Sequence, residues 1–334
     1  MTTMQAATSP IHQHAASGIR PFDIARDLRP VAELIAEAFA NELDQRGNAA
    51  LREMRVMSHM GGFLKLLNRT TGEFDDVFNG YVWEEEGRVI GNVTVQRADR
   101  YGSRWQIANV AVLPSHRGKG IARRLMERAL DHIHMAHGRW GVLQVYQANA
   151  AARHLYENMG FEYLGGKAEL RLEQVPGSAE IAGLDARLPH FYTFGPHQWQ
   201  ELYELANRQL SSQAQWWRAL RRSDYQVAME QQIGEWFGRV IGRRVVHRRC
   251  VQITRRFEAA LVLTAQRWGG EHEVRLWVRP ESYGQYEAGM VNWTLQTLAD
   301  YPRLPVNLEL ITDHQAALDA AHQAGFQVQR TLLT

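Results

Sequence analysis

The chain has 334 residues, a formal net charge of +2 and one cysteine, Cys250. That length favours two domains over one, and near-neutrality gives no reason to invoke nucleic acid or an acidic membrane as partner. A lone cysteine excludes an internal disulfide framework and fits a reducing cytoplasm, and no apolar run approaches the roughly 18 residues of a membrane span.

Residues 1–17 are small and polar, with neither the apolar core of a secretory signal nor the arginines of a transit peptide, and read as a disordered tail. A short strand is expected at Ile19–Ala25. An amphipathic helix follows, with Val31, Leu34, Ile35 and Phe39 on one face. Residues 46–72 read as a second helical stretch, broken at Gly61-Gly62. "GYVWEEEGRVIGNVTVQR" is a hairpin turning on a solvated "EEEG". "WQIANVAVLP" is a further strand, ended by Pro114. From Ile121, apolar residues recur at Leu125, Ala129 and Ile133, which is one face of a helix. "WGVLQVYQ" reads as a buried strand and "AAARHLYENMGF" as a helix closed by Gly160. The Pro-, Gly- and Ala-rich residues 174–187 read as a linker.

The order then repeats. "RRFEAALVLTAQRWGGEHEVRLWVRPE" parallels the hairpin and the strand before Pro114, and "NLELITDHQAALDAAHQAGFQVQ" parallels "VLQVYQANAAARHLYENMGFEYL". Pro114 and Pro280 are 166 apart, and Phe161 and Phe326 are 165 apart. A shared offset at distant landmarks is a repeat signature. The expected organisation is therefore a tail at 1–17, one domain at 18–173, a linker at 174–187 and a second domain at 188–334.

The chemistry concentrates in "VAVLPSHRGKGIARRL". Main-chain amides at a strand-to-helix turn, together with the positive end of the new helix, bind anions. Gly118 and Gly120 let that main chain approach a phosphate, and Arg117 and Lys119 add charge. The pattern is neither a nucleoside-triphosphate loop nor a dinucleotide fingerprint.

"RGKGIA" resembles the Gln/Arg-x-x-Gly-x-Gly/Ala signature of the GNAT superfamily of N-acetyltransferases, and "NAAARHLYENMGF" resembles that family's closing segment. The resemblance covers about residues 18–172. It implies two tandem GNAT-like acyl-CoA N-acyltransferase folds of the α/β (α+β) class, each a mixed, mostly antiparallel sheet flanked by helices. It implies acetyl-CoA as co-substrate and no metal. The strand Val110, Ala111 and Val112 would hold the pantetheine arm, and an N–H near Val112 would polarise the thioester carbonyl. The amides of Gly118, Lys119, Gly120, Ile121, Ala122 and Arg123 would hold the pyrophosphate, with Arg117 beside them. Asn149 would contact the pantetheine, and Tyr156 would protonate the departing thiolate. Asn149, Ala152, Arg153 and Tyr156 share one helical side by spacing. The implied acceptor is the amine of a small molecule or peptide, taken by a monomer or homodimer. A non-catalytic acyl-CoA sensor is the alternative.

No general base stands out. Gln106 and Asn109 are not bases, Glu73, Asp75 and Asp76 precede the hairpin, and a water relay serves equally. In the second copy the repeat offset sets Tyr283, Gly284 and Tyr286 against Arg117, Gly118 and Gly120, and His314 and Ala321 against Asn149 and Tyr156. That copy is read as having lost the cofactor site. His132, His134 and His137 read as solvated rather than metal-binding, and the arginines 243–256 as strand faces and a hairpin tip. Trp216, Trp217 and Trp236 read as helix packing, and Cys250 as a small core residue.

Overall fold

A computed structural model describes residues 17–40, 45–58, 79–99, 101–177, 188–217, 222, 225–226, 244–254 and 256–334. The expectations for residues 1–16, Gly61-Gly62, Glu73, Asp75, Asp76, Trp236, Arg243, Arg255 and most of the linker lie outside these residues. The chain packs as two compact units, residues 1–144 and 145–334.

The first unit opens with strand β1 (Gly18–Pro21) and helix α1 (Ile24–Ala38). The strand is shorter than expected because Asp23 caps the helix, its carboxylate accepting from the Ala25 amide at 3.0 Å. Asp27, fully buried, accepts from the two terminal Arg20 guanidinium nitrogens at 2.5 and 2.7 Å, tying α1 to β1. Helix α2 (Gln45–Ser58) follows. Strands β2 (Gly80–Glu85) and β3 (Arg88–Arg97) form the expected hairpin, turning through Glu86 and Gly87 at φ 50° and 78°. Strand β4 (Arg104–Val112) leads through a one-turn 3-10 helix at Pro114–His116 into α3 (Ile121–Met135). Leu125, Met126 and Ala129 of α3 are fully buried, as the helical periodicity predicts. Strand β5 (Trp140–Leu143) pairs in parallel with β4, completing a sheet ordered β1-β2-β3-β4-β5.

The second unit begins where "WGVLQVYQ" divides. The single strand expected there is two: β5 in the first sheet and β6 (Val145–Tyr146) in the second. Helix α4 (Ala150–Glu157) and strand β7 (Gly166–Leu172) follow. The later elements are β8 (Tyr192–Thr193), α5 (Trp199–Gln209), α6 (Ser212–Trp217), β9 (Arg244–Ile253), β10 (Arg256–Gln266) and β11 (His272–Val278). A 3-10 turn at Pro280–Ser282 precedes α7 (Glu287–Leu298), β12 (Val306–Ile311), α8 (Gln315–Gln323) and β13 (Gln327–Leu333).

These strands make one mixed sheet in the order β6-β13-β7-β12-β11-β10-β9-β8. Strand β7, within the residues expected to form the first domain, lies between β12 and β13 and pairs antiparallel with both. The packing boundary falls at Gln144/Val145. Buried Ala168, Leu170 and Leu172 anchor β7 among Leu261, Met290, Leu295 and Leu308.

The repeat is legible in the backbone. Pro114 and Pro280 both open one-turn 3-10 helices. Asn149 and His314 both stand at helix N-caps with φ, ψ of −82°, 71° and −94°, 69°. Gly160 and Gly325 are left-handed at 83° and 88°.

Candidate active site

In the first unit, β4 and β5 are paired only from Arg104↔Trp140 to Ile107↔Leu143. Strand β4 continues to Val112, and among the described residues nothing pairs with that stretch on the β5 side. On the other side the Leu113 amide donates to the Ile90 carbonyl at 2.9 Å, and Ala111 sits opposite Asn92. Main-chain groups alternate along a strand, so those of Val110 and Val112 face the open side. The Val112 carbonyl there accepts from Arg117 Nε at 3.4 Å.

Arg117 spends a second nitrogen on the chain. Its Nη2 donates to the Ala38 carbonyl at 3.0 Å, fastening the turn to the end of α1. The turn beyond is exposed and needs its glycines. Gly118 and Gly120 both stand at φ 77°, a left-handed conformation that strains any side-chain-bearing residue. Gly120 is the N-cap of α3, no side chain caps that helix, and its first intrahelical bond runs from the Arg124 amide to the Gly120 carbonyl. The amides of Ile121, Ala122 and Arg123 therefore have no partner within the helix. Lys119 and Arg123 are exposed beside them. A small anion, a phosphate above all, fits such a turn.

The corresponding turn of the second unit does not fit one. Gly284 keeps the left-handed φ of 84°, but Tyr286 takes the N-cap at φ −120°, and Glu287 begins the helix. Glu287 Oε2 accepts from the Gly284 amide at 2.9 Å and the Tyr286 amide at 3.1 Å. Its Oε1 meets His314 Nε2 at 2.7 Å, and His314 Nδ1 meets Gln209 Nε2 at 2.9 Å. Tyr283 stacks on the His314 ring with centroids 3.8 Å apart. Glu287 and His314 are buried at 1% and 0% exposure. Burial alone would raise the Glu287 carboxyl, but the His314 contact and the turn amides outweigh it and hold it below the ordinary value. The chain supplies its own anion to this turn.

Asn149 and Tyr156 belong to the second unit. Asn149 Oδ1 caps α4 by accepting from the Ala152 amide at 3.1 Å, which leaves its Nδ2 as the side chain's donor. Tyr156 is buried against Phe161, and burial pushes its phenol to about 12. It therefore stays protonated across the physiological range.

Several lesser features resolve structurally. His132 Nδ1 pairs with Tyr81 Oη at 3.0 Å, while His134 and His137 are exposed. No group of three metal-ligating side chains occurs among the described residues. Arg249 lies over the Trp293 ring at 5.1 Å. Cys250 is fully buried, and burial pushes its thiol to about 11. No helix of the described residues is long and apolar enough to cross a membrane.

A mixed sheet whose fourth strand outruns its parallel neighbour, followed by a glycine turn and an uncapped helix, makes up the candidate site of the first unit. Residues 77–163 match the family model "Acetyltransferase (GNAT) domain". Streptothricin acetyltransferase of Streptomyces lavendulae is 40% identical over 65 residues, which are 20% of this chain and 34% of that protein. The match thus spans about a third of that relative's length. A GCN5-related N-acetyltransferase from Sphaerobacter thermophilus shares the fold, with TM-score 0.52 and 13% identity over 94% of each chain. A tandem GNAT protein from the clavulanic acid biosynthesis pathway aligns over 95% of this chain and 97% of its own, with TM-score 0.47 and 14% identity.

Proposed function

We propose that the protein is an N-acetyltransferase that moves an acetyl group from acetyl-CoA to a primary amine, by direct attack within a ternary complex. The observation that carries the reading is the first turn, with Gly118 and Gly120 left-handed and the α3 amides uncapped. When bound, acetyl-CoA supplies an activated thioester whose carbonyl carbon accepts the amine nitrogen.

The amides of residues 118–123 hold the pyrophosphate, with Lys119 and Arg123 adding charge around it. Arg117, engaged with the Ala38 and Val112 carbonyls, keeps the turn and the β4 edge in register. The main chain of Val110–Val112 takes the pantetheine arm as an added strand, and the Val112 N–H stabilises negative charge on the thioester oxygen. Asn149 offers its Nδ2 to the pantetheine. Tyr156 gives its phenolic proton to the sulfur as the carbon–sulfur bond breaks and the carbon–nitrogen bond forms. Water accepts the proton that the amine sheds. No carboxylate of the described residues is assigned as base.

We take residues 18–173 as the cofactor-binding copy, 174–187 as linker and 188–334 as the degenerate copy, acting in the cytoplasm. The likeness to streptothricin acetyltransferase makes amine-bearing antibiotics one acceptor class to test beside polyamines, amino acids and peptide N-termini. Thiol release from acetyl-CoA is the assay. Acceptor-dependent release supports the enzyme; acetyl-CoA binding without release across the panel supports the sensor reading instead.

A further inference from the structure

The β3–β4 ladder carries an irregularity that decides what the open edge presents. Below it Thr94 faces Ala108, and above it Asn92 faces Ala111, so Asn109 and Val110 together oppose Val93. Asn109 is the extra residue and is left-handed at φ 52°, a conformation that asparagine tolerates better than most. The even-numbered residues of β3 face β4, since the Ile90 carbonyl receives the Leu113 amide. Below the bulge the β4 residues facing β3 are therefore even-numbered, and above it they are odd-numbered. A continuous register would turn Ala111 outward and Val112 inward, because a one-residue slip exchanges the two sides of a strand.

A buried side chain of β3 holds the bulge from across the ladder. Asn92 is 1% exposed, and its Nδ2 donates to the Asn109 carbonyl at 3.0 Å and approaches Thr94 Oγ1 at 3.5 Å. Only the amide nitrogen can pair with a carbonyl, so the orientation of the Asn92 side chain is fixed. Asn109 Nδ2 donates back to Thr94 Oγ1 at 3.2 Å. The second sheet supplies the contrast. Trp277 corresponds to Ala111, and its partner there is Ala260, which has no donor. The β10–β11 register runs unbroken from Ala259↔Val278 to Thr264↔Glu273.

We infer that Asn92 is a positioning residue for the acyl-donor site: by capturing the Asn109 carbonyl it fixes the bulge that turns the Val110 and Val112 amides to the open edge. This rests on the function proposed above. The test compares two ligands in the full chain, CoA and ADP. Both carry a diphosphate for the turn, but only CoA carries a pantetheine arm for the strand. Asn92→Ala, which copies Ala260, should weaken CoA at least about tenfold, the consequence of releasing the Asn109 carbonyl from its hold across the ladder. ADP affinity should stay within about twofold. Asn92→Asp should behave likewise at neutral pH and regain CoA affinity as acidification protonates the buried carboxyl and restores a donor. Equal weakening of both ligands, or unchanged CoA affinity, overturns the inference. If neither variant folds, amide exchange in the wild type decides. Slow exchange at Ala111 and Leu113 with fast exchange at Val112 supports the register; protection of Val112 with exposure of Ala111 overturns it. Failure of the wild type to bind CoA at all would instead remove the proposed function.

Discussion

The two strand-turn-helix junctions of this chain share their element order and differ in whether a side chain closes the start of the helix. Both follow a proline-led 3-10 turn, and both keep a left-handed glycine, Gly118 or Gly284. In the first, Gly120 caps the helix without a side chain and the first-turn amides are offered outward. In the second, Glu287 stands where Ile121 would be and turns its carboxylate back onto the amides of Gly284 and Tyr286. A carboxylate at a helix N-terminus meets turn amides and answers the same dipole that a phosphate would. The difference teaches that one element order can either offer its turn amides outward or close them with a carboxylate of its own.

Copying the second turn into the first should have the largest effect. Gly120→Tyr forces a bulky residue into a φ that costs about 1–2 kcal/mol and re-aims the helix start. Acetyl-CoA binding measured by calorimetry should fall by more than about a hundredfold. Retained affinity would break the comparison.

The reverse disturbance, Glu287→Gln, should destabilise the second unit by about 3 kcal/mol, as expected when one partner of a buried pair is removed. Urea unfolding reads this directly. Because the folded Glu287 carboxyl lies below its ordinary value, its contribution is present above the unfolded value and is lost as pH falls through the folded one. The gap between wild type and variant should therefore close on acidification. A constant gap would mean that the carboxylate is not the stabilising species.

Tyr156→Phe should lower turnover about a hundredfold while leaving CoA affinity unchanged. With the phenol pushed to about 12 by burial, the wild-type rate should show no alkaline limb from this group below about pH 11. Equal turnover in both proteins would remove Tyr156 from the chemistry. Its counterpart Ala321 lacks any proton to give, which makes this a second way to separate the copies.

Arg117→Ala sharpens the comparison least. Losing the bonds to the Ala38 and Val112 carbonyls should lower stability by about 1 kcal/mol, read by urea unfolding, and weaken CoA a few-fold. A loss as large as that of Gly120→Tyr would show Arg117 gripping the ligand itself.

Much of this was legible in the sequence because left-handed and capping positions restrict residue type. Gly118, Gly120, Gly160 and Asn149 announce the turn and the closing helix, and the offset of 166 finds the second copy. Tyr283 and Tyr286 opposite Arg117 and Gly120 marked the second turn as altered; that Glu287 turns back onto its amides needed the fold. The partner of β7 was not legible. Ala168, Leu170 and Leu172 alternate with Lys167, Glu169 and Arg171, which fixes the buried face but says nothing about which strands lie alongside. Asn109 in the middle of an apolar strand was the available signal for the bulge, and the Asn92 contact across the ladder had none.

Calorimetric titration of the full chain with CoA tests the central claim most directly. The account predicts one site per chain, abolished by Gly120→Tyr and untouched by Glu287→Gln. Two sites per chain, or a single site that survives Gly120→Tyr, would contradict it.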